Sequence, residues 1–143
     1  MTRERLAARL GVVAAAAVVV LTAIPYALTE STGISTYYGV GVASPVFVSL
    51  LAVVGAITLL SAAKGRSDPA LAAGAAVTVA AFAVVIALLW AIPARDVAFG
   101  LNLRADPLFG SDPTTWFSYH PVLVVLSTLV LAAASALYTR TVL

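Results

Sequence analysis

The chain has 143 residues, 62% of them hydrophobic and 10% charged, with a formal charge of +2 and a mean hydropathy of +1.08. Soluble domains carry about 25% charged residues, so this chain lacks the polar surface to cover a water-exposed globule and belongs to the membrane class. The absence of cysteine excludes disulfides, thiolate metal sites and cysteine nucleophiles. The charge is small and split among connections, so no nucleic-acid partner is expected.

A short basic start, Arg3, Arg5 and Arg9 against Glu4, leads into an apolar run ending at Leu28. A signal peptide looks similar, but Pro25-Tyr26-Ala27 lacks the small first residue of a cleavage site. The run therefore reads as an uncleaved first span over 6–28, enough for a hydrocarbon core of about 30 Å. The first outer connection, 29–44, is β-branched, aromatic and glycine-bearing, which favours a short extended piece over a helix. Ser44-Pro45 opens a second span over 45–63, with serine as cap and proline where its missing N–H costs nothing. Lys64 to Pro69 is a tight polar turn, and Asp68-Pro69 repeats the same start for a third span over 70–92. The second outer connection, 94–120, has room for a short strand within Val97 to Arg104 and a capped helical turn at Asp112-Pro113. Pro121 opens a fourth span over 121–138. The expected fold is all-α, a four-helix transmembrane bundle forming one domain over 1–143.

Arg3, Arg5, Arg9, Lys64, Arg66 and Arg140 fall at one end of these spans, whereas Arg95 and Arg104 fall at the other. The basic end is expected on the cytoplasmic side of the cell membrane, with both termini. Nearly all aromatics, among them Tyr26, Tyr37, Tyr38, Trp90, Phe109 and Trp116, gather at or beyond the opposite end. They suit an interfacial belt, and a platform for a partner is the sharper alternative.

Ala23-Ile24-Pro25 matches Ala91-Ile92-Pro93, and Pro45-Val46 matches Pro121-Val122. Two parallel hairpin repeats would explain this, as would chance in an Ala/Val/Leu-rich chain. The four prolines are expected to set span boundaries, with a splayed outer mouth as the alternative. Close helix packing is expected at Gly11/Ala15, Ala52/Ala56, Gly74/Thr78 and Ala132/Ala136. Thr22, Ser49, Thr58, Thr78, Ser127 and Thr128 are polar groups within spans that can bond their own helix backbone.

No Asp, Glu, Lys, Arg or His lies in the middle of a span, which argues against a proton pump or ion-coupled transporter. One histidine excludes a bis-histidine haem, and no phosphate loop or nucleophile motif is present, so no cofactor or metal is expected. The best cluster is Asp112, Trp116, Tyr119 and His120, whose helical spacing could place them on one face. Its bland reading is an interfacial histidine preceding a proline. Glu30 and Arg95 are a second candidate, as an ion pair where the first and third spans emerge.

Arginine over lysine, no cysteine, Ala/Val-rich spans and Asp-bearing connections make the chain resemble small four-span membrane proteins of haloarchaea. That resemblance is compositional and carries over no activity. The expected role is non-enzymatic: a subunit, scaffold or accessory protein in the lipid bilayer, presenting aromatic outer connections to another membrane protein or a second copy. Transport of a small neutral or apolar solute is the alternative, and an outer-interface enzyme built on His120 with Asp112 or Tyr119 the third.

Overall fold

Thr2 accepts a hydrogen bond from the Arg5 amide and starts α1 (Arg3–Leu28), in a computed structural model that describes residues 2–29, 31–98 and 113–143. The other helices are α2 (Ser31–Tyr38), α3 (Pro45–Ala63), α4 (Pro69–Ala98) and α5 (Pro113–Val142). The fold is all-α, and four of the helices are long and apolar enough to cross a membrane: Arg3–Leu28, Pro45–Ala63, Pro69–Val97 and Trp116–Val142. α1 packs on α3 and α5, and α4 packs on the same two, so the spans form a ring in chain order with little contact across its diagonals.

The starts written in the sequence form as expected. The Ser44 hydroxyl accepts from the Val46 amide, and an Asp68 carboxylate oxygen accepts from the Leu71 amide. Between them α3 ends in a Schellman closure, in which Gly65 donates to Ala62 and Arg66 to Ser61, each at 2.9 Å. Gly65 carries φ +68°, the left-handed conformation that this closure requires.

Three expectations need correction. Of the four prolines expected to set boundaries, Pro25, Pro93 and Pro121 lie inside α1, α4 and α5 and Pro45 alone starts a helix, so α4 and α5 extend past the expected limits at 92 and 121. The stretch 31–38 is helical, not extended, because Ile34, Tyr37 and Tyr38 fall on one face and are buried while Ser35 and Thr36 stay exposed. Finally, Gly74, Thr78 and Ala136 face outward. The packing stripe of α4 is Ala73, Ala76, Ala80, Ala83, Ala87, Trp90 and Ala94, all fully buried. The alternating spacing of three and four keeps them on one seam, and the small methyl groups let backbones approach where lipid offers no hydrophobic advantage. Gly11, Ala15 and Ala52 are buried as expected. The proposed strand within 97–104 begins with Val97 and Ala98, which are helical, and from 99 onward lies outside the described residues.

The outward faces are apolar too. Val13 is 67% exposed, Ile57 60% and Phe82 59%, an arrangement that water would penalise and a hydrocarbon solvent favours. The polar groups of the spans are contained: Thr58, Thr78 and Ser127 donate to the carbonyl four residues back, and Thr128 donates to the Val125 carbonyl. Ser49 differs, donating across to the Thr22 hydroxyl at 2.7 Å and tying α3 to α1, while Thr22 donates to the Val18 carbonyl.

Candidate functional site

The site grows from one missing hydrogen bond. A proline inside α1 has no N–H for the carbonyl four residues earlier, so Pro25 leaves the Leu21 carbonyl without its helical donor. His120 Nε2 fills that place from α5 at 2.6 Å. A carbonyl can only accept, so the hydrogen sits on Nε2. In the neutral ring Nδ1 is then an acceptor, and it meets the Tyr37 hydroxyl at 2.8 Å. His120 is fully buried with both nitrogens engaged.

Tyr37 brings α2 into the same network. Its carbonyl accepts from the Trp90 indole N–H at 3.0 Å, joining α2 to α4. The Tyr38 hydroxyl donates to the Thr22 carbonyl, joining α2 to α1. The Tyr37 ring lies 5.3 Å from Trp90 and 5.5 Å from Phe117, both edge-on, and 5.5 Å from Tyr38 in a stacked arrangement. These are favoured aromatic geometries. Trp116 covers His120 with ring centroids 4.9 Å apart. Burial pushes both α2 phenols well above the ordinary tyrosine range, so each keeps its proton and remains a donor.

The connection after α2 is drawn tight against α4. A Cβ at Gly41 would stand 3.0 Å from the Trp90 Cα and 3.1 Å from the Leu89 carbonyl oxygen. Leu89 is the residue whose carbonyl Pro93 deprives of its helical donor. Gly41 is therefore the residue that lets this segment approach the exposed backbone of α4.

Of the residues singled out from sequence, the structure joins Trp116 and His120. Tyr119 is 62% exposed on another side of α5, so no Tyr119–His120 pair forms. Arg95 is exposed and lines a cleft of about 270 Å³ between α4 and α5 with Leu88, Ile92, Val122 and Leu126. Asp112 and Glu30 lie outside the described residues, and with them the Glu30–Arg95 pair. Sequence reading missed the roles of Tyr37, Trp90 and the Leu21 carbonyl. Two signals pointed to them: the helical spacing of Ile34, Tyr37 and Tyr38, and a proline four residues after Leu21.

The arrangement holds α2 against α1, α4 and α5 at the end of the bundle opposite the termini. Apolar outward faces and four helices long and apolar enough to span define a multi-pass membrane protein. The whole chain, residues 1–143, matches a family described as a family of unknown function, DUF7548, and the protein belongs to that family. Neither a curated protein nor a solved structure matches the chain.

Proposed function

We propose that the protein is a non-enzymatic scaffold or accessory subunit of the cell membrane. The observation that carries this reading is the commitment of the His120 network: both ring nitrogens, both α2 phenols and the Trp90 N–H are bonded within the fold. Among the described residues both His120 nitrogens are engaged within the fold, and α2 packs against α1, α4 and α5 at that end, an arrangement that favours a structural role for the histidine. Among the described residues the outward aromatics Tyr26, Phe47 and Tyr119 offer a surface for a partner at that end. A photo-crosslinking residue at Tyr119 or Phe47 is expected to capture one discrete protein in native membranes, while the same residue at lipid-facing Phe82 yields lipid adducts. Lipid adducts alone at all three positions would reduce the outward aromatics to a belt and remove the reading.

The same proposal places both termini on the cytoplasmic side. Arg3, Arg5, Arg9, Lys64, Arg66 and Arg140 lie at the terminal end of the ring and Arg95 at the other, and basic residues are retained on the cytoplasmic face. The cysteine-free chain suits single-cysteine labelling. Val42→Cys is expected to react with an impermeant maleimide on intact cells, and Lys64→Cys, exposed in the turn between α3 and α4, only after permeabilisation. The reverse pattern inverts the orientation.

A further inference from the structure

A cleft of about 460 Å³ opens between α1 and α5 at the end that carries the termini. That volume falls within the ~300–1,000 Å³ of small-ligand sites. Its α1 wall is Arg3, Leu6, Ala7 and Leu10, and its α5 wall includes Leu137 and Arg140. The two walls are graded alike. Each arginine stands at the outer end of its helix, and the leucines follow toward the membrane interior, Leu10 about 10 Å below Arg3 at 1.5 Å per residue. Ala7 is small and buried between Leu6 and Leu10, which leaves the groove its depth.

Arginine dominates the charge lining the mouth, with Glu4 beside Arg3 and within electrostatic reach of Tyr138 on α5. Among the described residues neither Arg3 nor Arg140 has an ion-pair partner. Glu4 is partly buried and does not line the cleft. The α1 N-terminus and α5 C-terminus lie side by side, so their opposed helix dipoles largely cancel and the two guanidinium groups set the sign. Leu6, Leu10 and Leu137 are exposed, so the groove opens toward lipid. By contrast, the Arg95 cleft at the opposite end has one arginine, followed in the chain by exposed Asp96.

We infer that the α1–α5 cleft is a binding site for one anionic phospholipid. The headgroup phosphate lies between Arg3 and Arg140, whose planar donors suit a phosphodiester, and an acyl chain runs along Leu6, Leu10 and Leu137. Basic pockets between spanning helices on the cytoplasmic side hold acidic headgroups by this combination of charge and apolar floor.

The test is native mass spectrometry of the whole protein in a neutral maltoside, with phosphatidylglycerol or phosphatidylcholine of the same acyl chains added. The protein is expected to retain one phosphatidylglycerol and little phosphatidylcholine. Arg3→Gln/Arg140→Gln is expected to weaken retention about thirtyfold, the product of two basic contacts at a membrane surface, with an unchanged thermal unfolding midpoint as the fold control. Arg3→Lys/Arg140→Lys should keep part of the affinity, and Leu10→Gln, which leaves both arginines, should lose part of it. Lys64→Gln/Arg66→Gln removes the same charge at the same end and should have no effect. Equal retention of both lipids, equal losses from the two charge pairs, full retention by Leu10→Gln, or displacement by excess glycerol phosphate would each overturn the site.

Discussion

Replacing His120 by alanine is expected to destabilise the bundle by about 2–4 kcal/mol, combining two orphaned polar groups at about 1 kcal/mol each with the cavity of a lost ring. The orphans are named: the Leu21 carbonyl and the Tyr37 hydroxyl. His120→Phe refills most of the volume and leaves both groups unpaired, so comparing it with His120→Ala separates packing from hydrogen bonding. Pro25 supplies the sharper control. Pro25→Ala returns an N–H to α1 that can bond the Leu21 carbonyl within the helix. In the His120→Phe background it should therefore recover about 1 kcal/mol that it does not contribute to the wild type, a coupling of the size contacting residues show. Unfolding in mixed micelles of rising dodecyl sulfate content measures His120→Ala and the four members of this cycle. Strict additivity of the two substitutions would mean that His120 does not serve as the missing donor of α1.

The legible part of this fold was set by solvent and the illegible part by geometry. Four spans could be read because apolar runs without charge have one stable place, and the Ser44 and Asp68 caps could be read because a short polar side chain before a proline satisfies a known set of orphan amides. Which face of each span packs inward could not be read. In a soluble helix polarity marks the outer face; here Val13 and Phe82 outside are as apolar as Val18 and Ala83 inside. The expectation of Gly74/Thr78 contacts failed for that reason, and the alanine seam showed itself only through its register with Trp90.

The site was legible in fragments. The spacing of Trp116 and His120 correctly placed them together, since four residues make about one helical turn. Tyr119, one position away, points elsewhere. What sequence could not supply was the partner of His120, because that partner is a backbone carbonyl in a helix 99 residues earlier. The misreading of Tyr37-Tyr38 as extended had a definite cause. Aromatic and β-branched residues favour strands locally, but burial of Ile34, Tyr37 and Tyr38 on one helical face overrides that preference.

Trp90→Ala is expected to have the largest effect of any single truncation, about 3–5 kcal/mol, as for other buried tryptophans. Trp90 heads the largest fully buried side chains, and its loss removes both a ring that packs on Tyr37 and Tyr38 and the N–H that holds the Tyr37 carbonyl. The consequence should be local before it is global. α2 is short, joined to the ring by few contacts, and fixed mainly through Tyr37 and Tyr38, so it is the element that opens first. Ile34→Cys, buried in the native protein, should turn from maleimide-resistant to reactive when combined with Trp90→Ala. Ala52→Cys, buried between the spans, should stay protected. Trp90→Phe keeps an aromatic ring but loses the hydrogen bond, and should cost about 1 kcal/mol with a smaller rise in reactivity at position 34. Simultaneous exposure of positions 34 and 52 would show that the outer helix and the ring unfold as one unit; protection at both would show that α2 is held by something other than Trp90.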